Sequence, residues 1–169
     1  MRTILRVIDS VNEWAGQIAC WFWVVLVLVM TNEVIMRYVF NSPTEWGYET
    51  SMMIGAATYA LAWGYVHEHH AHVRVDVIYT RLSPRGRAIV DVVGSLLLFF
   101  PLLIILTDHA FAWTWHAWVI NEKSVETYWY PPVAPLRTAV LLGLFLFGFQ
   151  QVAQFIRDFY LLIRNKPYD

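Results

Sequence analysis

The sequence predicts an all-α integral membrane protein. It forms a single domain over 1–169 with four transmembrane helices. A short amphipathic helix lies in the cytoplasmic interface between helices two and three, and both termini are cytoplasmic. Three observations lead there. First, the chain is 58% hydrophobic and 15% charged, whereas a soluble domain has about 45–50% apolar and about 25% charged residues. Second, the apolar residues gather into four runs, each close to the roughly 20 residues that cross a bilayer. Third, lysine and arginine fall unevenly on the two sides of those runs, as the positive-inside rule requires.

The first run is "WAGQIACWFWVVLVLVMTNEVIM", spanning 14–36. Arg2 and Arg6 make a basic start, but the apolar stretch is too long for a signal and no small-x-small cleavage motif follows. A retained first helix is therefore expected. The second run is "SMMIGAATYALAWGYV", led in by "TEWGYET", which gives a span of 47–66. In "NSPTE", Ser42 can cap, Pro43 suits the first helical position and Glu45 falls where a capping box needs an acid, so helix two is expected to start near residue 43. In "LSPRGR", Ser83 and Pro84 repeat that signal ahead of the third span, 88–107. Pro101 lies inside it and is expected to kink it. The fourth span, 136–156, opens after "YPPVAP", whose prolines prevent an earlier start.

Orientation follows from charge. Arg2, Arg6, Arg74, Arg81, Arg85, Arg87, Arg157, Arg164 and Lys166 share one side, against Arg37, Lys123 and Arg137 on the other. The first side is cytoplasmic, and the 108–135 loop faces outward. Tryptophans and tyrosines crowd the ends of the runs, where interfacial aromatic belts belong. In "VRVDVIYTRL", a helix over 73–82 turns Val73, Val77, Ile78 and Leu82 one way and Arg74 and Arg81 the other, which suits a helix lying on phospholipid. The plain alternative is an irregular loop. Cys20 is the only cysteine, so no internal disulfide is possible. A formal net charge of −1 gives no footprint for nucleic acid.

The candidate polar groups lie mostly at helix ends. Glu33 and Arg37 are spaced i,i+4 with the acid first, the favourable order for an intrahelical pair. Ionisable groups in a membrane are functional candidates, but a self-neutralising structural pair is the expectation here. Glu49, in the first turn of helix two, is placed to reach Arg37 and clasp helices one and two. Gln150 and Gln154 share a face with no partner acid in view, and membrane-buried amides usually bond across helices. The segment 67–72 holds His67, Glu68, His69, His70 and His72, but Ala71 stands where an H-E-x-x-H zinc motif needs its second imidazole. His69 and His72 are i,i+3 with no third ligand evident, so a hydrated helix end is expected and no metal. In the outer aromatic segment the spacing suggests that helix three continues beyond the bilayer, with Trp113, Trp115 and Trp118 around it; with Glu122, Lys123, Glu126 and Trp129, the segment reads either as an interfacial anchor or as a docking surface.

These patterns argue against an enzyme. There is no nucleophile–base pair and no glycine-rich phosphate loop. A bis-histidine haem needs facing imidazoles at one depth, yet His67 sits at the inner end of helix two and His109 and His116 at the outer end of helix three. A haem-carrying electron-transfer subunit is therefore a poor alternative. A transporter acting alone lacks the repeated halves and midplane site such folds carry. An accessory or scaffold subunit remains, or a four-helix anchor for some other complex.

At that point the residues resemble a known family. "NEVIMRYVFNSPTEWGYE", then "GAATYALAWGY", then "HVRVDVIYTRLSPRGRAIVD" are similar to the small membrane subunit of tripartite ATP-independent periplasmic (TRAP) transporters. The matching positions are Glu33, Arg37, Tyr38, Phe40, Asn41, Pro43, Trp46 and Glu49, then Gly55 and Ala56, then His72, Val73, Arg74, Val75 and Asp76. "EKSVETYWYPPVAPLR" also resembles the mannitol/chloroaromatic branch. Two departures stand out. Gly47 and Tyr48 replace the family's frequent second acid before Glu49, and "VHEHHA" replaces a short glycine-rich turn.

The resemblance implies a non-catalytic subunit of the bacterial inner membrane that carries no cofactor. Its implied partners are a large elevator-type membrane subunit, which holds substrate and Na+, and a periplasmic substrate-binding protein. The implied process is ion-gradient-driven symport of an organic acid. In that setting the small subunit widens the scaffold, packing through residues such as Gly16, Gly55, Gly94, Gly143 and Gly148. Glu33, Arg37 and Glu49 would fix its outer corner.

Overall fold

A computed structural model describes residues 2–69 and 82–164. Its helices are α1 (Arg2–Tyr38), α2 (Gly47–Glu68), α3 (Pro84–Gly94), a π-helical turn (Ser95–Phe99), α4 (Phe100–Val119) and α5 (Ala134–Arg164). α3, the π turn and α4 follow without a break, so the described residues form four long helical rods. No strand is present among them, and a single antiparallel bridge joins Lys123 to Pro132. The interfacial helix expected over 73–82 falls outside the described residues except for Leu82, and His72, Arg74 and Asp76 lie outside them altogether.

Three helical stretches are long and apolar enough to cross a membrane: Thr3–Tyr38, Arg85–Val119 and Ala134–Ile163. α2 has the length, 22 residues, but its composition is less apolar. The reason lies in its position. α2 packs along both α1 and α5, and α5 packs in turn on α3 and α4. A helix enclosed on two sides needs small residues, and α2 supplies Gly55, Ala56, Ala57, Ala60, Ala62 and Gly64. Gly143 of α5 lies directly against the Ala60 backbone, and Gly16 of α1 against the Tyr65 ring. These glycines, expected to face a partner, are instead spent inside the subunit. A Cβ on Gly94 would meet nothing within 4 Å, and one on Gly55 would meet only Leu26, at 4.0 Å.

Several boundaries differ from expectation. α1 begins at Arg2, well before residue 14, because no proline or glycine interrupts 2–13 and Leu5 and Asn12 are buried. α2 begins at Gly47 rather than near residue 43, with Trp46 as N-cap and no side-chain cap bond. The cause is Glu33 of α1, which takes the Thr44 amide at 3.1 Å and the Thr44 hydroxyl as well. That holds the chain out of helix just where Ser42 would have capped it, and Asn41 ahead of it is left-handed, with φ 50°. At α3 the local signal holds: Ser83 Oγ accepts from the Gly86 amide at 3.2 Å and Pro84 opens the helix.

The rod meets Pro101 with the π turn just ahead of it. Proline offers no N–H and crowds the preceding turn, and a locally widened turn accommodates both. Residues 108–119, placed beyond the third span, continue the helix to Val119 as their aromatic spacing suggests, which leaves 120–133 as the loop. Asn121, φ 49°, adopts the left-handed conformation that ends α4, and the Glu122 amide reaches back to the Ala117 carbonyl at 3.0 Å.

Candidate functional site

Among the described residues, three groups of polar side chains each tie one helix to another element. At the first corner, Glu33 is only 8% exposed. Its Oε1 accepts from Arg37 Nη2 at 2.7 Å and from Nε at 3.2 Å, while Oε2 takes the two Thr44 donors. A Cβ on Gly47 would sit 2.6 Å from Glu33 Oε2 and from Thr44 Oγ1, so glycine keeps this corner open. Pro43 and Trp46 are exposed on the outside of the turn.

Glu49 does not clasp Arg37. It is 3% exposed, and its Oε1 accepts from the Thr127 amide at 2.7 Å, Thr127 Oγ1 at 2.9 Å and Ser124 Oγ at 3.1 Å. The first turn of α2 therefore holds the 120–133 loop, which folds back on itself through Ser124 N to Pro131 O and Val133 N to Glu122 O. A carboxylate at the start of a helix also suits the helix dipole.

The second group joins α4 to α5. Arg137 donates to Glu122 from both terminal nitrogens, at 2.6 and 2.5 Å, and to the Trp113 carbonyl at 3.3 Å, with its guanidinium 4.0 Å from the Trp113 ring centroid. Planar, two-pronged pairing with ring stacking is what arginine does and lysine does not. Trp118 Nε1 donates to Thr138 Oγ1 at 2.9 Å, and Thr114 Oγ1 to the Arg137 carbonyl at 3.2 Å. Of the expected docking residues, Trp118 and Glu122 thus serve the bundle itself. Lys123, Glu126 and Trp129 are exposed, beside Val125 and Tyr128, which are each 82% exposed.

The third group lies at the end of the bundle away from the 120–133 loop. Asn12 and Gln150 are fully buried and bonded at 2.8 Å; Gln150 Nε2 donates to Asp9 Oδ1 at 3.0 Å, and Asp9 pairs with Arg157 at 2.5 Å. The amides of α5 therefore do have a partner acid, Asp9. It escaped sequence reading because it sits in a stretch placed ahead of the first span. Gln151 bonds Ser95 at 2.7 Å, and Gln154 bonds Asp158 at 3.1 Å.

The histidine segment separates. The His67 ring packs against Phe99 and Phe147. His69 lies 3.7 Å from Glu13 of α1. Glu68, the last residue of α2 and beyond the 47–66 stretch expected to cross the membrane, has its carboxyl pushed up by burial and then by the negative charges of Asp9 and Glu13, with His69 and Arg157 opposing. His109 and His116 are exposed on α4. His109 stands ten positions beyond Phe99, about 15 Å along the helix, so it does not face His67.

The described fold is that of a multi-pass membrane protein in which Glu33, Glu49, Arg137 and Gln150 tie its own elements together. The family model for the DctQ component of the tripartite ATP-independent periplasmic transporters matches residues 26–160. That is well over half of the chain, and the chain belongs to this family of transport components. No individually curated protein matches it.

Proposed function

We propose that this chain is the small permease subunit that scaffolds the large elevator-type subunit of a TRAP transporter in a bacterial inner membrane. α2 is its fourth span, enclosed between α1 and α5. Both termini and the 67–87 segment are cytoplasmic, with an interfacial helix over 73–82 resting on phospholipid. Substrate, an organic acid, and the coupling Na+ bind in the large subunit. The likeness of the outer segment to the mannitol/chloroaromatic branch belongs to the same reading. The outer loop, with Lys123, Glu126 and Trp129, helps receive the periplasmic binding protein. His72, Arg74 and Asp76 begin the interfacial helix.

The observation that carries this reading is where the polar groups go. Glu33, Glu49, Arg137 and Gln150 are all buried, and each bonds a neighbouring element. A static support needs such ties. The large apolar side chains face outward instead: Trp21, Leu28, Leu98 and Ile104 are each at least 65% exposed. That surface suits lipid and a membrane partner. The test is a mild-detergent pull-down of the tagged chain with mass spectrometry. A large polytopic membrane protein at near one-to-one stoichiometry is expected. A chain that purifies alone refutes the scaffold reading.

A further inference from the structure

At the inner end of the α1–α2 interface, Glu13, Glu68 and His69 each present one ligand atom, and the three atoms lie within 4.8 Å of one another. Glu13 comes from α1, while Glu68 ends α2 and His69 follows it. Ligand spacing along the chain offers no third ligand for these histidines, because Glu13 is more than fifty positions away.

The histidine is prepared for coordination. Its Nδ1 lies 3.0 Å from the Tyr65 carbonyl, and a carbonyl can only accept, so that nitrogen carries the proton. In the neutral imidazole the lone pair is then on Nε2, the atom facing Glu13 Oε2 at 3.7 Å. Metal-binding histidines are typically oriented in this way, with the second ring nitrogen donating to a backbone carbonyl. The Tyr65 ring, 4.3 Å away, packs on the imidazole.

A second observation points to a ligand. Glu68 Oε2 is buried and has no hydrogen-bond partner among the described residues. A buried, unsatisfied carboxylate oxygen is costly, and Asp9 and Glu13 add like charge around it. One imidazole with two carboxylates is a donor set suited to zinc. Tetrahedral zinc spaces its ligand atoms roughly 3.4 Å apart, so small side-chain rotations close this site.

We infer that Glu13, Glu68 and His69 form a divalent-cation site, selective for Zn2+ over Mg2+ and Ca2+, that clamps α1 to the end of α2. Water completes the coordination, since Glu13 and His69 are both part-exposed. Glu13 lies outside the segment 26–160 matched to the family, so the match itself does not assign this site.

The experiment is calorimetric titration of the full-length chain in detergent, freed of metal by chelation, with Zn2+, then Mg2+ and Ca2+. One Zn2+ per chain is expected, with little heat from the other two. Glu13→Gln keeps the side-chain shape and should weaken Zn2+ binding at least about tenfold, while Glu13→His, which supplies a nitrogen ligand in place of the carboxylate, should bind. Circular dichroism and gel filtration confirm that both variants fold. Cobalt in place of zinc gives an independent reading, because its visible absorption reports the ligands and should change in His69→Ala. Absence of Zn2+ binding in the wild-type chain would make the contact a simple histidine–carboxylate pair and overturn the site. So would equal affinity in Glu13→Gln, which would place the ion elsewhere.

Discussion

Replacing Glu49 with alanine should release the outer loop while leaving the bundle intact. The carboxylate is 3% exposed and one oxygen holds three donors, the Thr127 amide and hydroxyl and the Ser124 hydroxyl. Hydrogen bonds to a charged group contribute about 1.5–3 kcal/mol each. They share one oxygen, and the freed donors turn to water, so the loss is less than the sum, about 2–4 kcal/mol. At about 1.4 kcal/mol per factor of ten, exchange of the Thr127 amide accelerates by roughly 30- to 700-fold. Hydrogen–deuterium exchange with mass spectrometry, read on peptides covering 122–130, measures this directly. Local opening of this kind is governed by contacts such as these and not by global stability, so peptides from α5 should be unaffected. Glu49→Gln keeps an accepting oxygen but loses the charge, and such bonds are roughly half as strong, so it should fall between. Unchanged exchange at 122–130 in Glu49→Ala would refute the argument.

Other expectations concern the remaining ties. Glu122→Ala leaves Arg137 with the Trp113 carbonyl and ring alone. An unpaired buried charge costs about 3–5 kcal/mol, and because Glu122 keeps 30% side-chain exposure the loss should be near the lower figure, seen as an earlier midpoint in SDS unfolding followed by tryptophan fluorescence. Gln150→Leu strips a partner from Asn12 and from Asp9 and should lower stability in the same assay by about 1–3 kcal/mol; an unchanged midpoint would mean water already serves those groups. Gly143→Ala drives a methyl into the Ala60 backbone and should cost about 1–3 kcal/mol through overpacking. Gly94→Ala, with open space around it, should stabilise the isolated subunit by about 0.5–1 kcal/mol, and thermal unfolding of the two variants side by side checks both.

Much of this was legible locally. The apolar runs marked the helices because a bilayer crossing demands length and composition together. Ser83 and Pro84 announced α3 correctly because a cap is made with residues two or three positions away. The Glu33–Arg37 pair was readable for the same reason, being one helical turn apart. Where a local signal failed, a distant group had displaced it. Ser42 did not cap α2 because Glu33 took the Thr44 donors. Gly143 and Gly16 looked like partner-facing residues, but glycine spacing says only that something comes close, and the something proved to be this chain's own Ala60 and Tyr65.

The sequence by itself determined the helical class, the membrane setting and the family, since each depends on composition, period and order along the chain. Only the tertiary structure decided which polar groups meet. Asp9 and Arg157 are 148 positions apart, Asn12 and Gln150 are 138 apart, and Glu49 and Thr127 are 78 apart. No periodicity encodes such pairings. They arise because α2 and α5 pack at the centre through small residues and bring the start of α1 and the end of α5 together. The same packing carries Glu13 to His69 and turns a helix end into a cluster of three ligand atoms.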